Sequence, residues 1–233
     1  MREDMIEEWC IPNDYSRQVT SKILAERLLL QKNTIETVMD LGCGAGNSVD
    51  LFRIYNPTVR WVGLDIENSP EVSARRRTDA EFFSFDGVNI PFDDDYFDLI
   101  YCNQVFEHVR HPIALLKEVK RVLKPNGYFV GSTSHMEPYH SYSMWNYTPY
   151  GFSLLIDEAG LQLLEIRPSI DSLTLILRRG MGLRKLFSRW WEKESPLNKL
   201  ISLAGRLTRK SHKEINFIKL IFCGQFCFLT RKI

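Results

Sequence analysis

Cysteine is scarce and scattered in this 233-residue chain, and long apolar runs are missing. The five cysteines, at positions 10, 43, 102, 223 and 227, are odd in number and form no paired C-x-x-C motif, so neither a disulfide framework nor a zinc site is predicted. No apolar run reaches the roughly 18 residues of a membrane span. The acidic start at residues 1–4, with no apolar stretch behind it, predicts no signal peptide. These absences favour a cytoplasmic protein.

The net charge of +1 hides an uneven distribution. Residues 178–213 contain eleven Lys or Arg and two Glu, a local balance of +9, so the rest of the chain carries −8. A composition of 44% hydrophobic and 25% charged residues is that of an ordinary globular protein. Without an internal repeat, residues 1–233 are predicted to form one domain.

Short apolar strands alternate with helical stretches from residue 35 to about 168. This alternation predicts an α/β fold with a doubly wound, mainly parallel, seven-stranded sheet. A helix over 16–30 would form an N-terminal cap within residues 1–34, and a helix over 112–123 would end at the turn 124–127. Strands are predicted at 36–41, 59–65, 80–85, 97–102, 127–133, 161–167 and 222–232.

Three glycines follow the first predicted strand, in the run D-L-G-C-G-A-G at residues 40–46. Glycine lets a backbone turn sharply and approach a ligand closely, and the following helix directs its free N–H groups toward that ligand. A second apolar strand ends at Asp65, about 20 residues further on, where a carboxylate would meet ribose hydroxyls. The dinucleotide pattern G-x-G-x-x-G needs its third glycine at position 47, which is Asn47, so NAD and FAD are disfavoured.

With Asp40 included, the loop reads D-x-G-x-G-x-G, and residues 35–168 with the final strand resemble the class I S-adenosylmethionine-dependent methyltransferases. The resemblance implies a Rossmann-like methyltransferase fold, an enzyme, S-adenosylmethionine as cofactor and S-adenosylhomocysteine as product. By the same resemblance, the glycines surround the methionine moiety, Asp65 binds the ribose, Asp86 binds the adenine amino group and Asn103 faces the sulfonium. The implied cofactor-binding residues are Asp40, Gly42, Cys43, Gly44, Gly46, Asp65, Ile66, Asp86, Gly87, Asn103 and Gln104.

Each of these residues also has a purely structural interpretation. The glycine turn could serve geometry alone, Asp65 could cap the next helix, and Asp86 could form an Asx-turn. Four such features in register favour the cofactor site.

Residues 98–109, DLIYCNQVFEHV, resemble the D-x-[IV]-x-x-x-x-V-[LF]-E-H-[VI] segment of the small-molecule branch of this family. DNA amino-methyltransferases have [DN]-P-P-[YF] here, so DNA is disfavoured as a partner. Relatives that act on ubiquinone precursors or small RNAs carry E-x-x-E-H, which helps bind a divalent metal. Gln104 replaces the first carboxylate, so no metal is predicted. The alternative is a metal site of Glu107, His108 and His135 in an RNA 2′-O-methyltransferase.

Residues 132–148, beyond the fifth predicted strand, contain two histidines and four large aromatic residues. Ligands bind at the carboxyl ends of parallel strands, so this segment is predicted to border the acceptor pocket. Histidine is suited to deprotonate a hydroxyl near neutral pH, and His135 is predicted as the base, followed by His140 and His108. The predicted function is methyl transfer to a hydroxyl or amine of a small molecule or glycan, lipid-linked acceptors included. A non-catalytic, cofactor-binding regulator is the alternative.

About 50 residues separate the last two predicted strands, more than a hairpin needs. Apolar residues recur at helical spacing on both sides of Pro196, which predicts a basic helical insertion over 170–218. It could be a lid over the acceptor, a solvated or homodimer surface, or a peripheral contact of residues 181–210 with the inner membrane surface, with Trp190 and Trp191 in the bilayer. The two predicted apolar stripes are Leu183, Leu186, Phe187, Trp190 and Trp191, and Leu197, Leu200, Ile201, Ala204 and Leu207.

Overall fold

The computed structural model describes residues 10–32, 34–182 and 184–233. Its strands are β1 (Thr37–Leu41), β2 (Arg60–Ile66), β3 (Glu81–Phe85), β4 (Phe97–Asn103), β5 (Leu123–Ser134), β6 (Leu161–Pro168) and β7 (Gln225–Lys232). They form one seven-stranded sheet in the order β3-β2-β1-β4-β5-β7-β6. Strands β1 to β5 pair in parallel, whereas β7 is antiparallel to both β5 and β6. The predicted fold class is confirmed.

Helices connect these strands, and most of them begin at a side-chain cap or a proline. The helices are α1 (Ser21–Gln31), α2 (Val49–Tyr55), α3 (Pro70–Ser73), α4 (Pro112–Val122), α5 (Pro149–Glu158), α6 (Ser172–Gly180), α7 (Arg184–Phe187), α8 (Pro196–Leu207) and α9 (His212–Phe222), with 3-10 turns at Phe106–His108 and Ser188–Trp190. Helix α1 starts five residues later than predicted, because the Thr20 hydroxyl accepts a hydrogen bond from the Ile23 N–H and fixes the start.

Two apolar cores lie on opposite faces of the sheet. Successive side chains of a strand point to opposite faces, so Val38 enters one core and Met39 the other. Helices α1 and α2 cover the first core, whereas α4, α5 and α9 cover the second. Burying one large apolar side chain contributes about 2 kcal/mol, so both faces stabilise the sheet.

Two predicted strand boundaries are wrong. The turn 124–127 lies inside β5, because Leu123 still pairs with Phe97 before a shift in register. Asn126 provides the local bend, with φ of 64°. The last strand starts at Gln225 and not at 222, since the apolar run around Phe222 continues the helical pattern of α9.

The segment between β6 and β7 is helical, but its helices run from Ser172 to Phe222 and exceed the predicted range 170–218 at the carboxyl end. The side chain of Gln18, in the N-terminal segment, holds this insertion in place through hydrogen bonds. The Gln18 side-chain oxygen accepts from the Ser195 N–H and from the Asn198 amide, both at 2.8 Å. Buried Lys219 donates to Glu194 nearby. These contacts anchor the start of α8.

The apolar residues of the insertion are distributed differently from the predicted stripes. Ile201 is buried in α8, whereas Leu200 and Leu207 are exposed, since positions 200 and 201 point about 100° apart on a helix. Trp190 and Trp191 are half-buried, with the Lys199 ammonium 4.8 Å from the centre of the Trp190 ring. The side chains of Leu183 and Leu186 lie outside the described part of the chain. Among the described helices, none combines the length and apolar character of a bilayer span.

Candidate active site

The glycine turn after β1 requires glycine for its own geometry. Gly42, Gly44 and Gly46 have φ values of 75°, 50° and 78°, which side chains rarely adopt. A Cβ atom on Gly42 would lie 2.2 Å from Cγ2 of Val105, and one on Gly46 would lie 2.7 Å from Cζ of Phe82. The turn therefore leaves no room for side chains, and its backbone forms the wall that a bound molecule would meet.

Asp65 stands at the end of β2, directly beside this turn. Its Oδ2 accepts from the Gly44 N–H at 2.7 Å, and its Oδ1 accepts from the Ile66 N–H at 2.8 Å. Asp65 does not cap α3, because the Ser69 side chain has that role. The carboxylate is half-buried, so it can still accept from a ligand hydroxyl.

Asp40 lies beneath the turn. It is buried and accepts from the Ser48 hydroxyl at 2.5 Å. Burial raises the pKa of Asp40 to about 7, against the lowering effect of the Ser48 hydrogen bond. Burial also raises the pKa of the neighbouring Cys43 thiol to about 12, so this thiol is inert near neutral pH.

Asp86 follows β3 and is exposed. Its Oδ1 accepts from the backbone N–H groups of Val88 and Asn89, at 2.8 and 2.7 Å. Asp86 thus forms the Asx-turn that the sequence offered as an alternative to cofactor binding. Gly87 follows it with φ of 89°. The adenine contact of Asp86 stays a prediction.

Asn103 ends β4 and connects three elements at the same edge of the sheet. Its Oδ1 accepts from the Ser21 hydroxyl of α1 at 2.7 Å and from the Ser132 hydroxyl of β5 at 3.0 Å. The next residue, Gln104, has φ of 58° and donates from its backbone to the Ser132 carbonyl. The start of α1 therefore lies over this edge.

Strands β1 and β4 are neighbours from which the chain winds outward in opposite directions, toward β2 and toward β5. Such a switch point opens a crevice at the carboxyl ends of the strands. Gly42 directly follows β1 at this end, and Asp65 and Asn103 are among the last residues of β2 and β4. The fold therefore brings the residues of three separate motifs to one edge.

Two buried carboxyl groups lie beyond β4 and β5. Glu107 accepts from the Thr133 hydroxyl at 3.0 Å and from the Ser134 hydroxyl at 3.3 Å. Glu137 accepts from the Ser134 hydroxyl at 2.9 Å and from the Gln225 amide at 2.6 Å. Sequence reasoning missed Glu137, although it lies within the histidine- and aromatic-rich segment.

His140 lies between these two carboxyl groups. Its Nε2 is 4.0 Å from Oε1 of Glu107, and its Nδ1 is 3.7 Å from Oε1 of Glu137. The His108 ring stands edge-on to it, with the ring centres 5.4 Å apart. Nδ1 of His108 is buried and has no hydrogen-bond partner in the described part of the chain. The cluster thus combines two carboxyl groups beside the His140 ring with a His108 nitrogen that has no hydrogen-bond partner among the described residues.

Burial sets the protonation of this cluster. Burial and the nearby Glu137 together raise the pKa of Glu107 to about 7, against the lowering effect of the Thr133 and Ser134 hydrogen bonds. Burial lowers the pKa of His108, and the neighbouring His140 adds to that effect. Glu107 can therefore gain or lose a proton near neutral pH.

His135 is directed elsewhere. Its Nδ1 lies 2.9 Å from the Tyr147 carbonyl oxygen, and burial lowers its pKa. Glu107 and His108 instead group with His140, with potential metal-binding atoms within 4.8 Å of one another. The structure therefore groups His140, and not the His135 of the alternative metal site, with Glu107 and His108, because the end of β5 turns His135 toward the backbone. The expectation that no metal binds stays a prediction. The catalytic role of His135 stays a prediction.

Glu107 is expected to make folding stability depend on pH. Its folded-state pKa lies above the unfolded value of 4.5, so the folded protein holds the proton more tightly. That stabilisation is full below pH 4.5 and is lost as the pH rises through about 7, a loss on the order of 3 kcal/mol. Glu107→Gln should flatten the fall in urea-unfolding free energy between about pH 5 and pH 8.

Glu36→Gln, an exposed carboxylate elsewhere, is the matched control and should keep the wild-type slope. Asp40 acts in the same direction, so some slope should persist in Glu107→Gln. An unchanged slope in Glu107→Gln would show that Glu107 is ionised in the folded protein well below pH 7.

Comparison with known proteins agrees with this geometry. A family model described as a methyltransferase domain matches residues 1–178. The chain belongs to this family and is a class I, S-adenosylmethionine-dependent methyltransferase domain. A crystal structure of an S-adenosylmethionine-dependent methyltransferase from Aquifex aeolicus aligns over 100% of both chains, with a TM-score of 0.56 and 15% identity, which shows the shared fold.

Curated relatives match over shorter stretches. A demethylmenaquinone methyltransferase of Thermotoga maritima is 35% identical over 104 residues, which cover 44% of this chain and 45% of that protein. A malonyl-[acyl-carrier protein] O-methyltransferase of Marinomonas sp. is 31% identical over 119 residues, 48% of this chain and 44% of that protein. The chain thus spans less than half the length of these relatives.

Proposed function

We propose that this domain transfers a methyl group from S-adenosylmethionine to a hydroxyl or amine of a small organic molecule or glycan. The observation that carries the proposal is the position of His140, between the buried carboxyl groups of Glu107 and Glu137. This cluster follows β4 and β5, at the sheet edge where Gly42 and Asp65 form the wall of the cofactor crevice. A methyl donor and a base for its acceptor can therefore meet there.

The residues at the crevice fit the cofactor. The turn of Gly42, Gly44 and Gly46 excludes Cβ atoms and leaves a backbone surface for the methionine end. Asp65 can accept hydrogen bonds from the ribose hydroxyls. When bound, S-adenosylmethionine supplies an electrophilic methyl group on sulfur. The proposed set is completed by Asp40, Cys43, Ile66, Asp86, Gly87, Asn103 and Gln104.

His140 is the proposed base. A hydroxyl acceptor must lose its proton as its oxygen attacks the methyl group, and a positioned imidazole can take that proton. Glu107 and Glu137 lie on both sides of the ring and would stabilise the imidazolium that forms. The Ser134 hydroxyl oxygen lies 3.3 Å from Oε1 of Glu107 and 2.9 Å from Oε2 of Glu137, and so holds both carboxyl groups in place.

Two observations support a small acceptor. Tyr139, Tyr142 and Trp145 expose aromatic rings in the segment that holds His140, and such rings pack well against sugar or planar surfaces. Curated relatives are named for demethylmenaquinone, malonyl-acyl carrier protein and trans-aconitate. A metal-assisted RNA 2′-O-methyltransferase is the second candidate, because Glu107, His108 and His140 could hold a divalent ion.

Calorimetry tests the cofactor site. S-adenosylhomocysteine should bind and NAD should not. Asp65→Ala should weaken S-adenosylhomocysteine binding by about 1 to 3 kcal/mol, roughly 5- to 150-fold, because charge-assisted hydrogen bonds to the ribose are lost. Asp50→Ala, in the exposed ion pair with Arg77, is the matched control and should bind like the wild type. Binding of NAD with no response to the sulfur compounds contradicts the proposal.

A further inference from the structure

Two helices of the insertion expose rows of apolar side chains. In α6, Leu173, Ile176 and Leu177 lie on one side of the helix, opposite buried Leu175. In α8, a second row of three exposed leucines, spaced three and four residues apart, lies on the side of the helix away from buried Ile201. The two helices contact each other. The exposed row of α8 consists of Leu200, Leu203 and Leu207, and the six side chains, called the apolar face below, are 42% to 76% exposed.

Positive charge is concentrated in the same part of the chain as this face. Residues 178–213 carry the local balance of +9, and Lys199, Arg206 and Arg209 are exposed on or next to α8. Among the described residues, the ion pairs made by the basic side chains of this stretch join Arg179 to Glu137 and Lys210 to Glu214, while its Glu194 pairs with Lys219 outside it. Most of its positive charge is therefore uncompensated by carboxylates.

We infer that the apolar face docks on an anionic lipid bilayer. A symmetric dimer through this face would place +9 against +9, which opposes association. A nucleic acid would neutralise the charge but would leave the leucines in water. A bilayer with anionic headgroups satisfies both features, since leucines enter the acyl boundary while Lys and Arg meet the phosphates.

The docked orientation places the cluster of Glu107, Glu137 and His140 near the lipid. Arg179, at the end of α6, has a guanidinium nitrogen 3.9 Å from Oε1 of Glu137. Helix α6 therefore contributes both to the apolar face and, through Arg179, to the surroundings of Glu137. If the proposed function holds, acceptors carried on a lipid would reach His140 from the bilayer.

Vesicle co-sedimentation of the full chain tests the docking directly. The wild type should bind phosphatidylcholine vesicles that contain phosphatidylglycerol, and the binding should weaken with salt. The triple variant Leu200→Gln, Leu203→Gln, Leu207→Gln removes apolar side chains that the core does not use, so it should fold normally and bind at least about tenfold more weakly. Lys199→Glu with Arg206→Glu should weaken the binding similarly.

The double variant Leu30→Gln, Ile54→Gln is the matched control, because both side chains are highly exposed on other helices. It should bind vesicles like the wild type. The inference is overturned if the triple variant and the wild type bind the vesicles equally well. It is also overturned if the wild type does not bind anionic vesicles. A concentration-dependent dimer that the triple variant abolishes, without vesicle binding, assigns the face to a second copy. Vesicle binding requires neither cofactor nor turnover, so its failure leaves the proposed methyl transfer standing.

Discussion

Gly42→Ala is expected to lower the free energy of unfolding by about 2 to 5 kcal/mol and to abolish cofactor binding. The φ of 75° costs about 1 to 2 kcal/mol for a residue with a Cβ atom. The new methyl group would also lie 2.2 Å from Cγ2 of Val105, and such overpacking costs about 1 to 3 kcal/mol. Urea unfolding and calorimetry with S-adenosylhomocysteine measure the two effects.

A double variant separates the two causes. Gly42→Ala combined with Val105→Ala removes the contacts with both Val105 Cγ atoms but keeps the unfavourable φ, so it should recover part of the stability lost. Gly180→Ala is the matched control, because it lies at the end of α6 with nothing within 4 Å of the added Cβ atom. It should be neutral or slightly stabilising. A stable Gly42→Ala variant that binds cofactor would contradict the geometry of the turn.

The sheet and the glycine turn could be predicted from the sequence because their signals are local. Apolar strands such as β1 and β4 are bounded by polar residues and by turns, and the glycine spacing after β1 is short and regular. Boundaries were less predictable where two local signals compete. Around Phe222 the same apolar run fits both the end of a helix and the start of a strand, and only the tertiary packing determines where α9 ends and β7 begins.

Local sequence patterns did not predict which histidine lies beside the buried carboxyl groups. His135 and His140 have similar sequence surroundings, and both precede aromatic residues. Both rings contact a backbone carbonyl, that of Tyr147 for His135 and that of Pro138 for His140. Only His140 also lies between Glu107 and Glu137, which are about 30 residues apart in the chain. That pairing depends on the path of the segment after β5, which no periodicity encodes.

The insertion shows a second kind of limit. The spacing of apolar residues was enough to predict its helices. Which apolar residues are buried depends on which side of each helix packs against the rest of the domain. Gln18 fixes the start of α8 through Ser195 and Asn198, and so decides that Ile201 is buried while Leu200 is exposed. A contact between residues about 180 positions apart cannot be read from a helical stripe.

His140→Ala is expected to reduce methyl transfer by a factor of about 10² to 10⁴, the usual contribution of a general base, with little change in S-adenosylhomocysteine affinity. The assay is S-adenosylhomocysteine release with a panel of hydroxyl and amine acceptors. His135→Ala is the matched control and should retain most activity, since the backbones of both Tyr147 and Ile221 hydrogen-bond its ring and no carboxylate flanks it among the described contacts. If His135→Ala loses the activity and His140→Ala keeps it, His135 is the base.

Chelation separates this mechanism from metal-assisted transfer at the same residues. With His140 as the base, turnover should be unchanged in EDTA, because proton removal requires only the imidazole and its flanking carboxyl groups. If EDTA abolishes turnover and Mg²⁺ or Mn²⁺ restores it, then Glu107, His108 and His140 are metal ligands. In that case Glu107→Gln should lower metal affinity, since a carboxylate oxygen is lost from the site. Cofactor binding without turnover on any acceptor would instead favour a regulatory protein.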